Sequence, residues 1–144
     1  IIINGNNKEK PWLVGIQDPL SLQKNASIVI EKKDIFLAIA TSGEYRNFKA
    51  DADGNKISHT INPISLESID HNILSVTVAH DISATHADAY ATACMSFGLD
   101  SAKQFLSNNN ILGSLIYLDG GDTLYYFSEG FSSFLHKSPG SAPQ

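Results

Sequence analysis

The sequence predicts an α+β fold in which helices pack on one face of a largely antiparallel sheet. Three observations carry that expectation. Short β-branched and alternating apolar runs recur from Ile1 to Phe127, an alanine-rich stretch with a capping signal interrupts them near Thr85, and the order strand, strand, helix, helix, hairpin leaves few elements to cover the sheet. There is no internal repeat, so a single layered domain is expected over residues 1–137, with a disordered tail at 138–144.

The chain opens on Ile1, Ile2 and Ile3 without a preceding turn or cap, which reads as a strand already under way and implies an upstream segment as its neighbour. After the polar turn at 4–10, Trp12 to Ile16 reads as a short strand. The alternation from Ala26 to Glu31 reads as another, closed by a turn at Lys32, Lys33 and Asp34. The continuous apolar run from Ile35 to Ala40 suits a central strand covered on both faces, ending in a turn at Thr41, Ser42 and Gly43.

Residues 44–72 are polar and turn-rich, with an Asp53-Gly54 pair that favours a type I′ hairpin, and form the expected working surface. Leu74, Val76 and Val78 alternate with Ser75, Thr77 and Ala79 as in a half-buried strand running into His80. Thr85 followed three residues later by Asp88 reads as a capping box that starts a helix, with Gly98 as its stop. A second short helix is expected from Asp100 to Leu106. A closing hairpin pairs Leu115–Leu118 with Thr123–Phe127.

Composition narrows the function classes. The 144 residues are 42% hydrophobic and 17% charged, with ten basic against fifteen acidic residues and a net charge of −5. So few and so scattered cations do not make the basic surface that a phosphate backbone requires, and nucleic acid is not an expected partner. No apolar run approaches the roughly 20 residues of a membrane span, so a soluble chain is expected. The single cysteine, Cys94, has no internal partner and lies between apolar neighbours, which places it in the core.

Asp88 and Thr92 stand four apart, which on a helix puts two hard oxygens on one face, about 5–6 Å apart at Cβ. Magnesium is held by one or two such protein oxygens together with water and substrate phosphates. The spacing alone also fits a capping acid at Asp88 and a threonine bonded back to the helix at Thr92, and both readings stay open. Thr41, Ser42 and Gly43 end a strand where backbone N–H groups can face an anion, or where glycine merely supplies a turn. His59 lies in the polar segment as a candidate base, in equal competition with His71, His80, His86 and His136. Dinucleotide-fold, P-loop and hydrolase-elbow signatures are missing from the sequence.

In order, the segments Trp12-Leu-Val-Gly-Ile-Gln-Asp-Pro19, Ala40-Thr-Ser-Gly-Glu-Tyr45, His59-Thr-Ile-Asn-Pro63, Ser75-Val-Thr-Val78, Ala87-Asp-Ala-Tyr-Ala-Thr92 and Tyr126-Phe-Ser-Glu-Gly-Phe131 resemble the carboxy-terminal half of the ApbE family of FAD:protein FMN transferases. The resemblance implies an ApbE-like, T-fold-like sheet, FAD as substrate, and magnesium held in part by Asp88 and Thr92. It further implies transfer of FMN from FAD to a threonine hydroxyl of an acceptor protein, with release of AMP. His59 would be the base, and Thr41, Ser42, Gly43 and Tyr45 would line the cofactor pocket.

By the same resemblance the partners are the amino-terminal half of the fold and a flavin-bearing subunit of a respiratory or electron-transport complex. Residence is unknown from this chain, and periplasmic or lipoprotein-anchored by analogy. Two departures stand out: Asn62 replaces the acid of the family's H-i-i-D-P, and Ile64-Ser-Leu-Glu-Ser68 replaces its R-T-G-x-P. They leave hydrolysis of FAD to FMN and AMP, or non-catalytic FAD binding, as alternatives.

Overall fold

The computed structural model describes the chain apart from residues 22, 24, 44–48, 51–55 and 137–144, so the turn expected at Asp53-Gly54 and the expected tail lie outside the described residues. In chain order the elements are β1 (Ile2–Ile3), β2 (Trp12–Gln17), β3 (Ala26–Lys32), β4 (Leu37–Gly43), β5 (Lys49–Ala50), β6 (Lys56–Ile57) and β7 (Ile73–His80). There follow α1 (Ala84–Phe97), α2 (Leu99–Asn108), β8 (Leu112–Asp119), β9 (Asp122–Phe127) and a short 3-10 helix, Phe131–Phe134.

Five strands form the main sheet in the order β1-β4-β7-β8-β9, every neighbouring pair antiparallel. Helices α1 and α2 cover one face, where Ala38, Val76, Val78 and Leu115 meet Ala87, Ala91, Cys94, Met95, Ala102 and Leu106. Ala87 and Ala91 are wholly buried, and their small side chains let α1 lie close against β4 and β7. Gly113 does the same for α2, because a Cβ there would stand 2.8 Å from a Leu106 methyl. Burial raises the Cys94 thiol from 9.0 to about 12. No helix among the described residues is long and apolar enough to cross a membrane.

The opposite face carries what the local pattern does not show. β2 and β3 pair with each other from Trp12↔Lys32 to Gln17↔Ala26 as a separate two-stranded sheet. They lay Val14, Ile16, Ile28 and Ile30, with Phe131 of the 3-10 helix, over Leu37, Ile39, Leu74 and Ile116. β7 is therefore buried on both faces rather than half-buried, with Ser75 and Thr77 each only 1% exposed.

β4 also departs from expectation. It is an interior strand whose apolar residues Leu37, Ala38 and Ile39 are covered on both sides, as expected, but it begins after Ile35 and Phe36. Those two residues belong to the crossing from β3, where Asp34 takes a positive φ of 59° and the amides of Asp34 and Gly5 bond across to Gly5 and Ile35. The strand does not stop at Ala40. Thr41, Ser42 and Gly43 pair in register with Thr77, Val76 and Ser75, so the expected turn at 41–43 is strand.

The start of α1 is corrected as well. Ser83, not Thr85, is the N-cap: it is extended at φ −143° and its Oγ accepts the amide of His86. His80 Nδ1 accepts the amides of Ile82 and Ser83, each at 3.1 Å, and so holds the two residues that lead into the helix. Gly98 ends α1 at φ 81°, as expected. The β8–β9 hairpin turns on Gly120 and Gly121, both at positive φ as a type I′ loop requires.

Candidate functional site

At one end of the β4–α1 seam the apolar residues give way to polar ones, and those of the two elements meet there. Side chains alternate along a strand, so Ala38, Ala40 and Ser42 face the helices while Ile39 and Thr41 face the β2–β3 layer. The hydroxyls follow this division. Ser42 Oγ and Thr92 Oγ1 share a hydrogen bond of 3.1 Å across the β4–α1 seam, whereas Thr41 Oγ1 and Thr77 Oγ1 share one of 2.8 Å on the other face.

The backbone of 41–43 offers polar groups in a different way from the expected turn. Ile39 donates its amide to Ile1 and accepts the Ile1 amino group at its carbonyl, so odd-numbered residues of β4 direct N–H and C=O to the outer edge. With no break in the β4–β7 register, Thr41 and Gly43 share that direction. They present backbone donors and acceptors along the edge next to the cleft.

That cleft has a volume of about 730 Å³ and is lined by Thr41, Ser42, Gly43, His59, Thr92 and Ser96, with Thr60, Ile61, Ala93 and Pro63. A smaller one, about 310 Å³, adjoins it at Thr41 and is walled by Asp88, β2 residues and Ile39. Five of the candidates named from sequence thus share a cleft, and Asp88 borders the space beside it. Tyr45 lies outside the described residues.

The structure separates the five histidines that sequence leaves equal. His71 contacts the Met95 carbonyl at 2.5 Å through Nε2 and accepts the Ile73 amide at Nδ1. His80 is committed to the start of α1, His86 stacks on it with ring centroids 5.3 Å apart, and His136 Nδ1 lies 2.5 Å from Glu31 Oε2. His59 is the exposed histidine in the lining of the cleft.

The capping alternative for Asp88 falls with the identification of Ser83 as N-cap, since Asp88 then lies beyond the first turn. Among the described residues the Thr92 hydroxyl is bonded to Ser42 across the seam, and not back to its own helix. Asp88 and Thr92 are both exposed on α1, one turn apart. Among the described residues no three His, Cys, Asp or Glu side chains gather as a metal site. One carboxylate and one hydroxyl fit a hard cation that takes its remaining ligands from water and substrate, as magnesium does.

Sequence reasoning missed Ser96. It stands four residues beyond Thr92, continuing the Asp88–Thr92 stripe, and its hydroxyl bonds back to the Ala93 carbonyl at 2.8 Å. The helical spacing was signal enough to find it.

The ApbE family model matches residues 1–115. A curated relative from Escherichia coli (strain K12), named FAD:protein FMN transferase, is 34% identical over 90% of this chain and 36% of its own length. One of the same name from Vibrio cholerae is 35% identical over 95% of this chain and 40% of its own.

Among solved structures, the flavin transferase ApbE from Vibrio cholerae superposes with a TM-score of 0.73 at 32% identity, covering 92% of this chain and 40% of that one. The ApbE protein from Thermotoga maritima gives 0.73 at 26% identity, covering 93% and 41%. The chain thus spans well under half the length of these relatives. On the family match and on that likeness along nearly its whole length, the chain belongs to the ApbE family.

Proposed function

We propose that this chain is the part of an FAD:protein FMN transferase that carries the cation ligands and the base, acting on a threonine hydroxyl of an acceptor flavoprotein. The observation that carries the reading is the convergence of Ser42, Gly43, His59 and Thr92 on one cleft, with Asp88 beside it. The names of the matched relatives supply the reaction class.

In this reading the acceptor hydroxyl enters the open cleft and attacks the flavin-side phosphorus of FAD. His59 takes the hydroxyl proton, a phosphoester bond forms to FMN, and the phosphoanhydride bond breaks with AMP as leaving group. Asp88 and Thr92 hold magnesium, which when bound supplies charge neutralisation at the diphosphate. The outward backbone groups of Thr41 and Gly43 orient the cofactor, and the Thr92 hydroxyl is aimed by Ser42.

The remaining two-thirds or so of the family's length completes the pocket. The β1–β4 register, Ile3↔Leu37 and Ile2↔Ala38, would bring a strand preceding Ile1 alongside Thr41, which makes the amino-terminal part of the fold the expected neighbour of that edge. Acceptors are sought among flavin-bearing subunits of electron-transport complexes, and an extracytoplasmic setting is proposed by family analogy.

The test combines the chain, joined to the rest of the family fold, with FAD, magnesium and a flavin-acceptor domain. A covalently fluorescent acceptor band, lost when the acceptor threonine is replaced, is the expected result. Release of AMP without labelling would replace transfer by hydrolysis, and FAD binding without AMP release would remove catalysis altogether.

A further inference from the structure

The loop that carries His59 is closed by its own hydrogen bonds. Asn62 donates its amide to Glu67, Ile69 donates to Thr60, and Ile61 bridges to Ser68. At the base, the buried Ser58 accepts the Thr60 amide at its hydroxyl, and Ser68 donates its hydroxyl to the Ser58 carbonyl at 2.9 Å. His59, Thr60, Ile61 and Pro63 on the first limb form one lip of the cleft.

The tip of the loop is a single helical turn with Asn62 as its cap. Asn62 Oδ1 accepts the amides of Ile64 at 2.8 Å and Ser65 at 3.3 Å, while its carbonyl accepts Leu66 at 2.8 Å. Pro63 follows at the position where a helix tolerates proline best. Leu66 ends the turn at φ 61°, a left-handed conformation that disfavours leucine. The family pattern R-T-G-x-P places glycine at this point, so here the cap holds the turn against a backbone penalty that glycine would not incur.

We propose that Asn62 is a positioning residue for His59: its side-chain carbonyl fixes the turn at Pro63–Leu66 and with it the lip that carries the imidazole. The catalytic role of His59 rests on the function proposed above, whereas the positioning does not. A cap needs an acceptor and not a charge, and Asn and Asp serve about equally. The departure from the family's acid therefore preserves the hydrogen bonds that matter at this position.

The test compares Asn62→Ala with Asn62→Asp in the chain, using amide exchange and the ring signals of labelled histidines. In Asn62→Ala, exchange at Ile64, Ser65 and Leu66 should accelerate about 5-fold and the His59 ring signals should move or broaden, while those of His71 and His80 stay in place. Asn62→Asp should keep the original signals, and Leu66→Gly added to Asn62→Ala should restore part of the protection. Unmoved His59 signals in Asn62→Ala, or an Asn62→Asp that behaves like alanine, would overturn the proposal. These signals need no turnover, so a failed flavin-transfer assay sinks the proposed reaction and leaves this inference standing. In the complete enzyme, Asn62→Ala should lower kcat while the KM for FAD changes less than about 2-fold.

Discussion

Two polar clusters meet α1, one at its start and one a turn or two further on, and their heteroatoms are used differently. At the start, His80 Nδ1 and Ser83 Oγ accept backbone amides, and His86 stacks on His80. At the cleft, among the described residues, the Thr92 hydroxyl meets only another hydroxyl, Ser42, and Asp88 caps nothing. The first cluster satisfies the orphan donors of a helix end and so stabilises the fold. The second leaves an exposed carboxylate and an exposed, Ser42-bonded hydroxyl at the rims of adjoining clefts, where a ligand can reach them. The two clusters should respond to substitution in opposite ways.

The largest effect is expected at the cleft. Asp88→Ala should reduce magnesium-dependent flavin transfer about 10³-fold, the several kcal/mol that metal stabilisation contributes, and His59→Ala about 10²-fold, the lower end for a general base. Neither should shift thermal unfolding by more than about a degree, because both side chains are exposed. A variant that melts early would move its residue into the structural cluster and blur the contrast.

An intermediate effect is expected at Ser42. Ser42→Ala removes the oxygen that aims Thr92 and should weaken magnesium or manganese affinity about 10-fold by calorimetry, with little change in stability. Its counterpart in the other cluster is Ser83→Ala, which should cost about 1 kcal/mol in denaturant unfolding and leave cation affinity untouched. If Ser42→Ala destabilised the fold and Ser83→Ala weakened cation binding, the two clusters would have to be exchanged.

Much of the fold was legible because alternation and apolar runs report local burial directly. Trp12 to Ile16, Ala26 to Glu31 and the closing hairpin all form near the expected residues. Errors arose where a distant layer decides. Ser75 and Thr77 read as solvent-facing because nothing near them reveals the β2–β3 layer, and Thr41–Gly43 read as a turn because polar residues in a paired strand look locally like a strand's end. Thr85 and Ser83 are two hydroxyls two residues apart, and the extended backbone at Ser83 with the His86 amide on its Oγ distinguishes the cap. At the site, spacing placed Asp88 and Thr92 on one helix face but could not bring Ser42 to Thr92. Nor could it separate His59 from four histidines whose roles depend on carbonyls, amides, rings and a carboxylate elsewhere in the structure.

The smallest effect belongs to the buried side of the same helix and tests whether α1 is as firmly packed behind the cleft as its exposed face is open. Cys94 is fully buried two residues after Thr92, and burial lifts its thiol from 9.0 to about 12. The folded state therefore holds the thiol proton more tightly than the unfolded state. The stability tied to that proton is complete below pH 9.0 and is lost as pH rises toward 12. Above pH 9.0 stability should therefore fall progressively, and this part of the pH dependence should vanish in Cys94→Ala. Thiol-reactive dyes at pH 8 should label the native protein only as fast as it opens, and denaturant should accelerate labelling sharply. Rapid labelling without denaturant would mean that α1 lifts from β4 and β7, and then the seam between Ser42 and Thr92 would not be the fixed support that the proposed cation site requires.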